Sequence, residues 1–335
     1  METKKKKIMS DETRTIIIFF AMFAVIIIVF SQLQAGFLTV SNFRTMLKHI
    51  SVTAIASLGL TFVIAVGHYD MSFPWVGNLA GNTGAWLIAI GADPVTAVTV
   101  SIALGLVYGL MNGMTISRLR LPDMVLTIGT GSVAYGLSYL YRGGSFIFDN
   151  FFNSGMMQLN EGNVLGIPVP VLIMVVLYVF CYLLLHRTSH GRRFFATGDN
   201  KMGAVFSGIK IRRYVAIAFM MCGGFVAITA LLQVSAEGQS GYKTALMVLM
   251  PAYASVFLGI SVFRKVTVWG TFLGSALLIV MLNGFTLLNV PFYSSDLVIT
   301  SALIFALAMS NENVMRRFKR KTVLKAPAPS SEVPS

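Results

Sequence analysis

The sequence is short of charge. Only 12% of its 335 residues are Asp, Glu, Lys or Arg, whereas 56% are hydrophobic, a balance that excludes a soluble globular domain of this length. Acids are the scarcer sign, 13 against 26 bases. The apolar runs therefore lack the repeated carboxylates that a proton- or sodium-coupled carrier uses. There are two cysteines, Cys181 and Cys222, both inside apolar runs, which excludes a disulfide framework or thiolate metal site and leaves packing. No glycine-rich phosphate loop ending in Lys-Ser/Thr occurs, no His/Glu metal spacing and no serine elbow. Paired acids or histidine clusters suited to a membrane enzyme acting on lipid are missing too. The net charge of +13 does not point to nucleic acid, because the bases sit in short loops and at the two ends. Membrane topology and anionic lipid headgroups account for them better.

What is present is hydrophobic length. A span takes about 20 apolar residues, and such runs lie at about 14–31, 50–67, 73–90, 94–115, 123–140, 167–185, 214–233, 245–261, 267–284 and 294–310. The fold class read from them is an all-α integral membrane protein of about ten transmembrane helices. The Lys4 to Lys7 cluster ahead of the first run resembles a signal peptide, but no small-residue cleavage site comes after residues 15–30, so the run reads as a retained span. With that cluster inside, Arg118 and Arg120, the long loop 186–213, Arg264 with Lys265, and the bases from Arg316 to Lys325 all fall on the cytoplasmic side. Arg44, Lys48, Arg142 and Lys243 are the outside exceptions. The division is a basic cytoplasmic N-terminus (1–13), a transmembrane domain (14–310) and a cytoplasmic, basic, partly disordered tail (311–335).

Two patterns bear on packing. Ser101, Gly105, Gly109 and Gly113 recur every four residues on the fourth run, as do Gly270 and Gly274 on the ninth, which provides faces for close helix crossing. Leu110-Met111-Asn112-Gly113-Met114-Thr115 is echoed by Met281-Leu282-Asn283-Gly284-Phe285-Thr286. Two five-span halves carrying such an echo would be inverted relative to one another, as in many transporters.

The long loop is the most informative polar stretch. Arg187, Arg192, Arg193, Lys201, Lys210, Arg212 and Arg213 stand against one acid, Asp199. Gly198-Asp199-Asn200 offers N-cap side chains, the next residues suit a two-turn helix, and Gly208 sits where helices commonly stop. Such a helix would lie across the membrane face with Met202, Val205 and Phe206 as an apolar knob. It rests on headgroups or docks a cytoplasmic partner, and the docking residues would be Asp199, Asn200, Met202, Val205, Phe206 and Gly208.

Elsewhere, Gly67-His68-Tyr69-Asp70-Met71-Ser72 places an acid between the second and third runs. Asp70 reads first as an N-cap of a broken helix and second as part of a solute path. His68 could titrate near neutrality. Asn78, Asn82, Asn112, Thr127 and Asn283, with Thr130 and Ser132, offer uncharged hydrogen-bonding groups for a polar, hydroxylated solute; bonding between helices is the competing use.

Phe37-Leu38-Thr39-Val40-Ser41-Asn42-Phe43 resembles the opening "FLTxxN" stretch of the permease subunits of ribose-like ABC importers. His68-Tyr69-Asp70-Met71-Ser72 stands where that family usually reads Gly-Ile-Asp-Leu-Ser. The most specific similarity is Gly191-Arg192-Arg193-Phe194-Phe195-Ala196-Thr197-Gly198-Asp199-Asn200 followed by Ser207-Gly208-Ile209. The likeness runs over residues 37–310. It implies a homodimeric or heterodimeric permease in a bacterial inner membrane with both termini cytoplasmic. A cytoplasmic ABC ATPase and an external or periplasmic solute-binding protein would serve it. This chain would be no enzyme and bind no cofactor, with ATP and Mg held by the ATPase. The helix near 200–208 would be the coupling helix. Lys201-Met202-Gly203 departs from the family's acid-alanine-alanine, residues 260–265 lack its glycine pairs, and Lys243 replaces a common Glu, which invites an acidic sugar as solute. The alternative is a self-contained secondary transporter of a polar small molecule.

Overall fold

A computed structural model of the chain describes residues 11–304 apart from 142, 242, 243, 245, 292, 295, 296 and 303. Lys4 to Lys7, Arg142, Lys243 and the tail 311–335 therefore lie outside the described residues. So does most of the run at 294–310, of which 297–302 are helical.

The chain is built from helices: α1 (Asp11–Leu33), α2 (Val40–Ala65), α3 (Phe73–Ala89), α4 (Pro94–Leu119), α5 (Asp123–Leu140), the short α6 (Phe151–Ser154) and α7 (Gln158–Glu161), α8 (Val169–Tyr182), α9 (Ser189–Asp199), α10 (Lys201–Phe206), α11 (Ile211–Glu237), α12 (Leu249–Phe263) and α13 (Val268–Leu287). Helix α8 continues as a π turn to Arg187. Among the described residues, Thr15–Leu33, Val40–Ala65, Pro94–Leu119, Val169–Arg187, Ile211–Glu237 and Val268–Leu287 are helices long and apolar enough to cross a membrane. Helix α12 is apolar but shorter.

Helix starts reflect local chemistry. Thr39 Oγ1 accepts from the Asn42 amide at 3.3 Å, which starts α2 ten residues before the expected span. No breaker separates residues 43–50 from the apolar run after them, so one helix covers both. Asp93 accepts from the Thr96 amide and hydroxyl at 2.9 and 2.6 Å ahead of Pro94, a sequence suited to a first turn. These bonds hold the Asp93 carboxyl below its usual range.

Helices α2 and α11 form the centre, with 72% and 78% of their apolar stretches buried, whereas α1 buries 11% and lies at the periphery. Where lipid tails are as apolar as leucine, helices associate by close contact of small residues. Accordingly α4 seats on α11 through its glycines. A Cβ on Gly105 would collide with the Gly223 carbonyl, one on Gly109 with the Phe219 carbonyl, and one on Gly113 would lie 2.7 Å from Ala216 Cα. Ser101, the first of that series, faces α3 instead, against Gly84. Gly274 abuts the Ser255 carbonyl and Gly270 faces Gly259, so α13 packs on α12 by the same device. Cys181 and Cys222 are buried and unpaired as disulfides.

The stretch between α5 and α8 is a packed cap. Ile147, Phe151 and Met156 join Ile88, Leu231 and Val234 in one apolar cluster. A bridge between Ile147 and Ser240 and a two-stranded hairpin, β1 (Asn163–Val164) with β2 (Ile167–Pro168), complete it.

Candidate functional site

The break between α2 and α3 organises one end of the bundle. A helix that stops inside a protein leaves backbone N–H groups that must be satisfied locally, and here side chains from α5, from α12 and from the turn itself supply the acceptors. The Tyr69 amide donates to Asp123 Oδ2 at 2.7 Å, the Asp70 amide to the Tyr253 hydroxyl at 3.0 Å, and the Met71 amide to Thr127 Oγ1 at 3.1 Å. Tyr253 in turn donates to the Asp70 carbonyl at 2.9 Å. The Asp70 carboxylate, 2% exposed, accepts from the Ser72 amide at 2.8 Å and from the Ser72 hydroxyl. Asp70 thus orders the turn into α3, as its position suggested, but Ser72 is the residue at the N-cap. Asp123 and Tyr253 were not singled out in the sequence, the one sitting beside Pro122 at a helix start and the other inside an apolar run.

His68 Nδ1 lies 3.3 Å from Asp123 Oδ2. Burial pushes its imidazole below the usual range, the Lys201 ammonium adds to this, and Asp123 opposes it. Lys201 is the first residue of α10, so the break and the basic loop belong to the same end of the molecule.

The basic loop is two helices rather than one. Helix α9 precedes the expected short helix and ends at Asp199; Asn200 alone caps α10, its Oδ1 accepting from the Gly203 amide at 2.8 Å. Asp199 is therefore not a cap. It lines a cavity of about 570 Å³ that also holds His186, Arg264 and Lys265. Gly208, at φ 74°, stops α10 in the left-handed conformation that glycine adopts freely. Gly198 is packed against the Ala65 carbonyl and the Gly67 backbone, which ties α9 directly to the break. Spacing of four residues gives α10 two faces. Met202 and Phe206 project outward, 67% and 84% exposed, and Val205, 56% exposed, shares with Lys201 the wall of a cleft toward α4 and α11.

The candidate path residues fall into three groups. Asp70, Asn112 and Thr127 meet at the break, Asn112 Nδ2 donating to Ser72 Oγ at 2.8 Å; Asn112 Oδ1 is buried without a partner among the described residues. Asn78 and Asn82, further along α3, both reach Ser138 of α5, by its hydroxyl at 3.3 Å and its carbonyl at 3.2 Å. Asn82 Oδ1 also accepts from Ser240 near the packed cap. Asn283 is remote from both groups and exchanges two 2.9 Å bonds with Asn42. Thr130 and Ser132 donate to carbonyls of their own helix. These contacts are bonds between or within helices. They make α3 and α5 a polar seam running from the break toward the cap.

The chain matches, over residues 42–307, the family described as branched-chain amino acid transport system / permease component. It is 28% identical over 292 residues to the ribose import permease protein RbsC of Bacillus subtilis, covering 87% of this chain and 91% of the relative. It is 28% identical to the xylose/arabinose import permease protein XylH of Sulfolobus acidocaldarius, covering 89% and 85%. With the autoinducer 2 import system permease protein LsrC of Salmonella paratyphi B the identity is 29%, over 89% and 88%. No solved structure matches the chain. The match spans most of the described helices and includes the break and the basic loop, and the chain belongs to this family of transport-system permease components.

Proposed function

We propose that this chain is the membrane-spanning permease subunit of an ABC importer that carries a sugar or sugar-like solute into the cytoplasm, driven by ATP hydrolysis on a partner ATPase. The observation that carries the reading is α10: a capped helix of six residues that presents Met202 and Phe206 to solvent and is braced, through Gly198, on the break that holds Asp70. A basic surface with exposed apolar side chains suits insertion into a groove on a cytoplasmic ATPase, with Asp199, Asn200, Val205 and Gly208 shaping the lever. The names of the relatives, which are sugar and autoinducer import permeases, support the solute class.

The complete assembly contains a second permease subunit, identical or not, and an external solute-binding protein, in a bacterial inner membrane with both termini cytoplasmic. The chain crosses about ten times as two inverted five-helix halves. Packing supports this. Helix α4 lies against α11 as α13 lies against α2, α3 packs on α11 as α12 packs on α2, and α3 pairs with α4 as α12 pairs with α13. Exchanging α2 with α11, α3 with α12 and α4 with α13 leaves that pattern unchanged. The solute path runs along the seam of Asp70, Asn78, Asn82, Asn112 and Thr127, whose present hydrogen bonds correspond to a closed state; Asn283 serves the packing of α2 on α13.

Reconstitution tests the reading. Vesicles holding the permease with its ATPase should take up sugar only when ATP is supplied on the α10 side. Uptake by the chain alone would instead establish a secondary transporter.

A further inference from the structure

On the side of α10 away from Met202 and Phe206 lies a cleft lined in part by Lys201 and Val205. It has a volume of about 880 Å³, and Arg120, Lys201, Lys210, Arg212 and Arg213 all line it. Among the described residues the ion pair of His68 with Asp123 involves none of these five. Five cations round one cleft, with no carboxylate among the described residues lining it, repel one another, and an anion entering the cleft relieves that repulsion.

The cleft's other walls identify the kind of anion. Ile116, Val205, Ile211 and Val215 supply apolar surface below the charged heads. Two membrane-crossing helices also end here, α4 at Leu119 and α11 at Ile211, which sets the cleft at the level where hydrocarbon meets water. On the same helix α4, a groove lined by Val107, Leu110, Met111 and Met114 also reaches Arg118. A free phosphate would use the bases and leave the apolar walls wet. A phospholipid uses both, its phosphate among the bases and its chains along the walls.

We propose that the cleft between the α4–α5 turn, α10 and the start of α11 is a binding site for the headgroup of an anionic phospholipid. Lys201 and Val205 share the cleft-facing side of α10, so the lipid would contact the same short helix whose other face carries Met202 and Phe206. The inference relies on the functional reading only for placing this end at the inner leaflet; the lipid-binding test requires neither ATPase nor transport.

The test is native mass spectrometry of the full-length, delipidated chain titrated with phosphatidylglycerol, with phosphatidylcholine of the same acyl chains, and with inorganic phosphate. Phosphatidylglycerol should be retained in preference to phosphatidylcholine. K210Q/R213Q should weaken its retention about thirtyfold, roughly fivefold per base, while R44Q/K48Q at a separate basic cleft should leave it unchanged. Should the double variant fail to fold, R120Q alone should give the fivefold loss. Equal retention of the two lipids, retention indifferent to K210Q/R213Q, or full displacement of the lipid by inorganic phosphate would each overturn the proposal.

Discussion

Phe206→Ala isolates the lever from the rest of the molecule. Phe206 is 84% exposed and ends a helix of six residues, so its truncation should change the stability of the isolated chain by no more than about 0.5 kcal/mol. In the assembly the ring would be buried in the ATPase. Full burial of a phenylalanine contributes about 1.5–3 kcal/mol, and a middle value of about 2 kcal/mol corresponds to roughly thirtyfold weaker association. Titrating the ATPase onto permease in nanodiscs reads this directly, and ATP-dependent uptake in vesicles should fall with it. Met202→Lys, four residues earlier on the same face, should act in the same direction by placing a charge in the apolar groove. Asn200→Ala removes the cap and should weaken α10 by about 1 kcal/mol, giving a smaller loss. Unchanged ATPase affinity in both F206A and M202K would refute the assignment of this face.

Other elements make separate predictions. Gly109→Val should lower the unfolding temperature sharply, by an overpacking cost of about 1–3 kcal/mol, because any Cβ there meets the Phe219 carbonyl; the same change at Gly129, where nothing lies within 4 Å, should be nearly silent. Tyr253→Phe leaves the Asp70 amide without its acceptor and should cost about 1–3 kcal/mol, read as faster hydrogen exchange at residues 69–71. A double-mutant cycle of Asn42→Ala and Asn283→Ala should give a coupling of about 0.6 kcal/mol, measured by denaturation in micelles; zero coupling would remove the reciprocal bonds from the account.

The legible parts of this molecule are those where local chemistry and tertiary contact agree. Asn200 as cap, Gly208 as stop and the exposure of Met202 and Phe206 come from residue type and spacing alone, as do the glycine faces of α4 and α13. Helix α9 was not legible, because Gly191 and Gly198 read as loop. Its helix depends on partners far away in the chain: Phe194 lies 5.6 Å from the Phe62 ring and 5.1 Å from that of Tyr214, and Gly198 rests on the end of α2. A broken helix at this point was anticipated but not the way its amides are satisfied, since nothing local to residues 68–72 says that Asp123, Thr127 and Tyr253 will arrive. The polar residues of α3 and α5 were recognisable as hydrogen-bonding groups. Which of them face each other depends on how the helices are rotated, and that is set by packing.

Everything proposed for this chain depends on the placement of α10 at the cytoplasmic surface. Cys181 and Cys222 are both buried, so a cysteine introduced as F206C offers a single reactive thiol to a membrane-impermeant maleimide. Labelling of inverted membrane vesicles but not of intact cells is the expected result; labelling of intact cells would contradict the lever, the ATPase and the direction of transport at once.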